Sequence, residues 1–221
     1  RARVLSARNA GVRVREGLPA PALSLSAGRV AGLETLDGLL PAETVVLADT
    51  RGAGLLAGPP GLRLSSWSRP WLRLDASADP DRPGRLLVSR GLSLVPRRDG
   101  AVLVLGRPGP DPSGGHPTAG AVARLLAEAA RLVPALEGWP LVAAGVDGGA
   151  RAADGLPVLG ESGVPGLLLV AGLGPEELLL APGVAAIAAD LVLGRAPGIG
   201  IAPFAPGRRA GRAGRSDILP G

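Results

Sequence analysis

The chain has 221 residues and a formal net charge of +5, and 46% of its residues are hydrophobic, so it can bury a core despite 35 glycines and 23 prolines. The absence of Cys and Tyr excludes a disulfide framework, a thiolate nucleophile, a cysteine-based metal centre and a tyrosine acid or base. A single histidine, His116, excludes multi-histidine metal sites.

The N-terminal quarter predicts a short helix followed by strands. Residues 1–11 are typical of the last turns of a helix that Gly11 ends, because glycine favours the left-handed conformation found there. Residues 11–17 alternate apolar and charged side chains, which predicts a half-buried strand. A small β-meander and a compact apolar strand are predicted next, from three runs: residues 21–26, 29–36 and 43–49. The apolar composition of residues 45–48 predicts that this last strand is covered on both faces.

The middle of the chain predicts an antiparallel sheet. Four strand-like runs are separated by Pro- and Gly-rich turns: residues 71–75, 85–89, 92–96 and 101–106. Residues 96–100 are typical of a hairpin turn between the last two of these strands. The alternation of strands and turns favours one continuous sheet over separate domains joined by linkers.

The C-terminal half predicts two helices and a buried strand. Residues 118–136 have apolar side chains at helical spacing, and Thr118 is the predicted N-cap. Residues 166–172 predict a buried strand, and residues 182–194 predict a closing helix with Pro182 in its first turn. The order of elements therefore predicts a mixed α/β or α+β fold.

The excess of positive charge lies at the two ends of the chain. Residues 207–221 contain four arginines and predict a basic, disordered tail. Contact with nucleic acid or an anionic lipid is the alternative, but no aromatic side chain lies among these arginines to stack on bases. Residues 164–174 form the most apolar stretch and are too short to span a bilayer. No nucleic-acid partner, no membrane span and a cytoplasmic location are therefore predicted.

Four segments in order resemble the C-terminal two-thirds of the FAD-dependent amino-acid oxidases, in the group of glycine oxidase, D-amino-acid oxidase and sarcosine oxidase. The segments are VAGLETLDGLLPAETVVLAD (30–49), LVPRRDGAVLVLG (94–106), DGLPVLG with VPGLLLVAGLG (154–160 and 164–174) and LLLAPGVAAIAADLVLG (178–194). Each segment alone is weakly specific. Their order and spacing together carry the resemblance, which extends to about residue 209.

The resemblance implies two domains interleaved along the chain. One is part of an FAD domain of the glutathione-reductase type, and the other is a substrate domain built on an antiparallel sheet. The implied division is an FAD-domain portion at 1–57, the substrate domain at 58–137, a return to the FAD domain at 138–206 and the tail at 207–221. The family's first βαβ unit, which carries the glycine-rich pyrophosphate loop, is absent from these residues. We therefore expect this chain alone to hold FAD weakly.

The resemblance also implies the chemistry. FAD in such enzymes accepts a hydride from the α-carbon of an amino acid at flavin N5, which leaves an imine, and the protein binds and orients both molecules. The implied cofactor-binding residues are Ala20, Ala48, Gly172, Leu178 and Leu179. No catalytic side chain and no metal ligand is assigned. The implied partners are a small amino-acid-like substrate and a second copy, a partner chain or an upstream segment.

Several positions depart from the family pattern. Thr50 and Glu177 replace glycines that approach the cofactor in the family, and a side chain there would crowd the contact. The family's substrate-binding arginine aligns with Asp147. With a small shift, Arg151 reaches that position and is the implied substrate-carboxylate ligand. An exposed loop arginine is the alternative for Arg151. These departures favour a second hypothesis, a non-catalytic homologue or a subunit that needs a partner, and a third is a scaffold domain.

Other polar residues have structural interpretations. His116 lies in a loop before the predicted helix and lacks the Gly-x-Ser-x-Gly setting of a serine nucleophile. Glu176 and Glu177 fit the negative charge that a helix N-terminus favours. Asp79 and Asp81 are separated by one residue in a Pro-rich loop. We expect these four carboxylates on the solvated surface.

Overall fold

The computed structural model describes residues 2–18, 22–48, 64–89, 91–110 and 115–208. Its helices are α1 Ala2–Asn9, α2 Ala119–Leu132 and α3 Glu177–Val192. Its strands are β1 Ala22–Ser26, β2 Arg29–Thr35, β3 Gly38–Pro41, β4 Val45–Leu47, β5 Leu64–Asp75, β6 Leu87–Ser89, β7 Leu92–Pro96, β8 Ala101–Leu105, β9 Leu141–Ala152, β10 Val158–Glu161 and β11 Leu167–Ala171. Three short 3₁₀ turns lie at Pro134–Gly138, Gly174–Glu176 and Ala202–Phe204.

The largest sheet has five antiparallel strands in the order β6-β7-β8-β5-β9. Side chains at alternate positions of β5, β7 and β8 point to one face, because successive residues of a strand point to opposite faces. On that face they pack against α2 and form a dry core: Leu72, Leu74, Leu92, Leu94, Val102, Val104, Leu125 and Ala129. Among the described helices, α2 is the one that packs against β5, β7 and β8.

Helix α2 begins at Thr118, as the sequence predicts. The Thr118 hydroxyl oxygen accepts a hydrogen bond from the backbone N–H of Ala121 at 3.2 Å. The helix ends at Leu132, four residues earlier than predicted, because Pro134 starts a 3₁₀ turn and has no N–H to extend the helix.

Replacing Thr118 by Ala should lower the free energy of unfolding by about 1 kcal/mol, because the Ala121 N–H loses its acceptor at the helix start. Urea denaturation followed by circular dichroism measures the change. Thr118→Ser keeps the oxygen and is the control, with an unfolding midpoint close to that of the original chain. Equal midpoints for the alanine and serine variants would contradict this role.

The second sheet contains the one parallel strand pair that the described residues form. Its order is β10-β11-β4, in which β11 is antiparallel to β10 and parallel to β4. The meander β1-β2-β3 forms a third sheet and contacts the second through the turn before β11. There, Val30 N–H donates to the Pro165 carbonyl at 3.0 Å and Val45 N–H donates to the Gly166 carbonyl at 2.8 Å.

Most predicted elements are present, but some details were wrong. Residues 11–17 form no strand, because their side chains are largely exposed and no described strand pairs with them. Strand β4 is not covered on both faces, since Val46 is 39% exposed. Pro182 lies inside α3, not in its first turn, because the helix already begins at Glu177. Strands β3, β9 and β10 were not predicted.

The C-terminal boundary also differs from the prediction. Arg208, which the sequence analysis assigned to the disordered tail, has a side chain only 13% exposed and forms an ion pair with Asp154. A charged side chain stays buried in this way when its donors are all directed at acceptors. Residues 209–221 lie outside the described part of the chain. The predicted domain division at residue 138 remains a prediction, and β9, which follows it, belongs to the five-stranded sheet.

Candidate cofactor and substrate site

The parallel pair places two of the predicted cofactor residues at the same edge of a sheet. Val45 is in register with Leu167 and Leu47 with Leu169, so β4 and β11 end at the same side. Ala48 follows β4 and is exposed, and Gly172 follows β11 and is buried. Ligands of α/β sheets commonly bind outside the carboxyl ends of the strands. This carboxyl-end edge is therefore the candidate cofactor site.

Gly172 is required by the chain's own packing. Its φ is +63°, and a Cβ there would lie 3.0 Å from the Ala152 backbone nitrogen and 3.1 Å from the Leu64 side chain. Both features favour glycine. The glycine thus lets the end of β11 close against the end of β9.

Helix α3 starts beside this edge and exposes large apolar side chains in its first turn. Leu178 is 85% exposed and Leu179 is 81% exposed, although both lie in the first turn of the helix. The preceding residue, Glu176, makes no side-chain capping hydrogen bond, and the backbone N–H of Glu177 donates instead to the Gly174 carbonyl of the preceding 3₁₀ turn. The start of α3 therefore presents an exposed apolar surface beside the carboxyl-end edge.

Arg151 lies between the two sheets. Its backbone is in register with Ser65 of β5 and forms an isolated bridge with Leu173, just beyond β11. Its side chain is exposed. The structure therefore brings the Arg151 backbone next to Gly172, and the role of Arg151 as the substrate-carboxylate ligand stays a prediction. Ala20, the remaining predicted cofactor residue, lies outside the described residues.

The face of the five-stranded sheet opposite α2 carries residues that were not predicted to form a site. Trp67, Arg69 and Trp71 alternate along β5 with the residues that face the α2 core, so all three lie on this opposite face. Arg69 donates from Nη2 to Oδ2 of Asp147 on the neighbouring strand β9 at 3.0 Å.

Two N–H groups on this face have no acceptor. The indole Nε1 of Trp67 and the Nε of Arg69 are buried and make no hydrogen bond, and the whole Trp67 residue is only 3% exposed. Buried donors are nearly always satisfied in folded proteins, so each exception requires an explanation. The strand that carries these residues was predicted to begin only at residue 71, so Trp67 and Arg69 were missed.

A buried ion pair fixes the turn that follows β9. Arg208 donates from Nε to Oδ2 of Asp154 at 2.7 Å and from Nη2 to Oδ1 at 2.9 Å. Its remaining donors reach the carbonyls of Leu156, Phe204 and Ala205. The Arg208 hydrogen bonds hold the pKa of the Asp154 carboxyl below its ordinary value. This pair ties the C-terminal segment to the turn between β9 and β10.

The other polar candidates have structural positions. His116 is exposed and lies two residues before the N-cap of α2, as predicted. Asp79 is more than a solvated residue, because its Oδ2 accepts a hydrogen bond from Trp139 Nε1 at 2.9 Å. Glu176 is exposed and Glu177 lies in the first turn of α3, where a negative charge is favoured. The described residues contain no group of three or more metal-ligating side chains.

Comparison with known proteins identifies the family. Residues 2–191 match the DAO family, which is described as FAD dependent oxidoreductase. The chain belongs to this family. The resemblance to the amino-acid oxidases is thereby confirmed, and FAD is the cofactor that the family's description names.

Similar DAO-family proteins and structures agree with this assignment. The chain is 36% identical over 190 residues to glycine oxidase of Pseudomonas putida, a match that covers 83% of this chain and 51% of the relative. It is 32% identical to D-amino acid dehydrogenase of Cereibacter sphaeroides, covering 92% of this chain and 49% of the relative. The crystal structure of glycine oxidase from Geobacillus kaustophilus superposes with a TM-score of 0.81 at 28% identity, covering 93% of this chain and 56% of that one.

The fold prediction is confirmed by that superposition, and the chain spans about half the length of the curated relatives it matches. In the part of the chain that the structure describes, no helix combines the length and the apolar character needed to cross a membrane.

Proposed function

We propose that this chain forms part of an FAD-dependent oxidoreductase that oxidises the C–N bond of a small amino acid or a similar amine. The match of residues 2–191 to a family of FAD-dependent oxidoreductases carries this proposal. The 36% identity to a glycine oxidase and the TM-score of 0.81 to another support an amino-acid substrate. The non-catalytic hypothesis has no comparable support, because these relatives are named as enzymes.

The candidate cofactor site has features that fit FAD. The exposed side chains of Leu178 and Leu179 suit contact with an aromatic ring system. Ala48 and Gly172 offer backbone at the carboxyl-end edge. The 221 residues contain no Gly-x-Gly-x-x-Gly segment, so FAD binding by this chain alone is expected to be weak.

FAD, when bound, supplies the acceptor for a hydride, which carries both electrons of the oxidation. The protein's own residues bind and orient the cofactor and the substrate. The β4–β11 edge and α3 would hold the cofactor, Arg151 or another arginine of the sheet would hold the substrate carboxylate, and the five-stranded sheet would exclude water from one side. No side chain of the chain is required to act as an acid or base in this proposal.

Flavin reduction tests the activity. The chain, alone and joined to any upstream sequence that its gene encodes, is mixed with FAD, freed of excess cofactor and treated anaerobically with glycine and with D- and L-amino acids. For the chain joined to its upstream sequence, we expect the flavin absorption at about 450 nm to be lost on reduction. Retention of bound flavin with no reduction by any amino acid would contradict the oxidase function and favour a non-catalytic homologue.

Cofactor contact at α3 can be tested with surface leucines. Replacing Leu178 and Leu179 together by Ser should weaken FAD binding about tenfold, because apolar contact area with the cofactor is lost. Leu193→Ser is the matched control, since Leu193 is 60% exposed and immediately follows the same helix. Quenching of FAD fluorescence measures binding. Equal affinities of both variants would show that the start of α3 does not contact FAD.

Two further predictions accompany this proposal. A cytoplasmic location was predicted from the sequence, and cell fractionation with an antibody to the chain tests it. A second copy or a partner chain was also predicted, and light scattering of the purified protein, with and without FAD, measures its mass in solution. Both remain predictions.

A further inference from the structure

A small cavity lies between helix α2 and the ends of β5, β7 and β8. Its volume is about 290 Å³, and its wall includes Arg107, Arg124 and Glu128. Pro70 and the buried side chain of Leu125 supply apolar wall. Ligand pockets are commonly roughly 300–1,000 Å³, so a cavity of this size suits a small ligand.

The backbone of the sheet makes room for one of the two arginines. Strands β7 and β8 pair, Gly91 directly precedes β7, and Arg107 lies two residues after β8. A Cβ at Gly91 would lie 2.6 Å from Nε of Arg107 and 3.2 Å from its Cζ. Any larger residue at position 91 would therefore displace the Arg107 guanidinium. The glycine keeps this group at the strand ends, in the wall of the cavity.

Arg124 reaches the same cavity from α2. A Cβ at Gly120, one turn earlier, would lie 3.5 Å from the Nη1 of Arg124. The side chain therefore extends back along α2 towards the start of the helix, as helical side chains commonly do. Glu128 lies four residues after Arg124, a spacing at which opposite charges on a helix can pair.

Neither arginine has a carboxylate partner in the part of the chain that the structure describes. None of the ion pairs and none of the side-chain hydrogen bonds there includes Arg107, Arg124 or Glu128. By contrast, Arg69 and Arg73 of the same sheet each pair with an aspartate, at 3.0 and 2.9 Å. Two arginines against one glutamate leave the cavity with an excess positive charge. Like charges repel, so an anion between the guanidinium groups would be favourable.

We propose that this cavity binds a phosphate group through Arg107 and Arg124. A phosphate group has at least three acceptor oxygens, so it can accept from two guanidinium groups, whereas one arginine fork already occupies both oxygens of a carboxylate. Both arginines are exposed, so the ligand enters from solvent. Inorganic phosphate and a phosphate monoester both carry the group.

The phosphate cavity is separate from the candidate cofactor site. It lies on the α2 side of the five-stranded sheet, and its lining includes neither Ala48 nor Gly172. FAD and phosphate should therefore bind without competition. The inference goes beyond the proposed function and does not depend on it, because a phosphate site can exist whether or not the protein oxidises an amino acid.

Isothermal titration calorimetry of the 221-residue chain with inorganic phosphate, at constant ionic strength, tests the proposal. We expect saturable binding of one phosphate per chain. Arg107→Gln and Arg124→Gln should each weaken binding at least about tenfold, because charge-assisted hydrogen bonds are lost. Glu128→Gln should strengthen binding about threefold, because it removes a negative charge from the cavity wall. Added FAD should leave the affinity for phosphate unchanged.

The matched control is Arg131→Gln. Arg131 is exposed on the same helix and lies outside the cavity, and its replacement removes the same charge. It should leave phosphate binding nearly unchanged. Arg107→Lys and Arg124→Lys keep the charge without the fork and should weaken binding less than the glutamine variants. Thermal midpoints show whether each variant is folded, and the lysine variants decide the question where a glutamine variant is not.

Several results would overturn the proposal. They are the absence of saturable phosphate binding, an equal loss of affinity in Arg131→Gln and Arg107→Gln, and competition between FAD and phosphate. Acetate that binds as tightly as phosphate would also overturn it. Glycerol 3-phosphate separates the two sources of the group. If it binds more tightly than inorganic phosphate, the ligand is a phosphate monoester, and if it does not, the ligand is free phosphate. Either of these two results supports the site.

Discussion

Replacing Arg208 by Met is expected to lower the free energy of unfolding by about 3–5 kcal/mol, since it leaves the Asp154 carboxylate buried without its partner. The side chains of Arg208 and Asp154 are only 13% and 8% exposed, and two hydrogen bonds of 2.7 and 2.9 Å join them. The variant also loses the donors to three backbone carbonyls. Urea denaturation at neutral pH measures the loss.

Two variants separate the buried pair from a surface effect. Arg73→Met removes the exposed Arg73–Asp99 pair and should change stability far less, because solvent screens exposed charges. The double variant Asp154→Leu with Arg208→Met removes both charges and should recover part of the stability lost in Arg208→Met. Full recovery of the free energy of unfolding in the double variant would show that the hydrogen bonds from Arg208 to the backbone carbonyls do not contribute to stability. A loss in Arg208→Met no larger than in Arg73→Met would contradict the buried-pair account.

The same pair predicts a pH dependence. Because the folded-state pKa of Asp154 is lowered, its contribution to stability is fully present above the ordinary aspartate pKa. That contribution is lost as the pH falls through the lowered folded-state pKa, since the proton then binds both folded and unfolded chains. Denaturation midpoints measured from pH 7 downward should therefore fall more steeply in acid for the original chain than for Arg208→Met. If the midpoints of the original chain and of Arg208→Met changed in parallel with pH, the Asp154–Arg208 pair would not be the source of the acid sensitivity.

The parts of the fold that the sequence predicted well depend on neighbouring residues. Helix α2 follows from apolar spacing and the Thr118 hydroxyl, and the β7–β8 hairpin follows from a turn that ends at Gly100, with φ of +84°. Strand β11 follows from an uninterrupted apolar run that is buried throughout. In each case the determinants lie within a few residues of the element.

The parts that were wrong or missed depend on distant residues. Residues 11–17 have the alternation of a strand but no described partner to pair with. Arg208 is ordered by Asp154, 54 residues away, and the tail's composition does not reveal that contact. Arg69 and Asp147 meet only because β5 pairs with β9, which was not predicted as a strand. The Arg69–Asp147 ion pair therefore required the sheet register, whereas the family was recognisable from ordered motifs.

Gly166→Ala should be the second large change, lowering the free energy of unfolding by about 3 kcal/mol or more. Gly166 has φ of +86°, and an added Cβ would overlap the Glu43 carbonyl oxygen and lie 3.1 Å from the Val30 Cβ. These atoms belong to backbone and a buried side chain, so neither can move cheaply. The substitution would push apart the meander and the parallel pair at the turn where Val45 donates to the Gly166 carbonyl.

Gly163→Ala is the matched control for that prediction. Gly163 has nearly the same φ, +90°, but a Cβ there would meet nothing within 4 Å. It should cost about 1 kcal/mol from backbone strain alone, so the difference between the two variants measures the close packing at Gly166. If that packing also sets the position of β4, Gly166→Ala should weaken FAD binding and Gly163→Ala should not. Equal losses of stability would show that φ, and not the contact between the sheets, makes glycine necessary at residue 166.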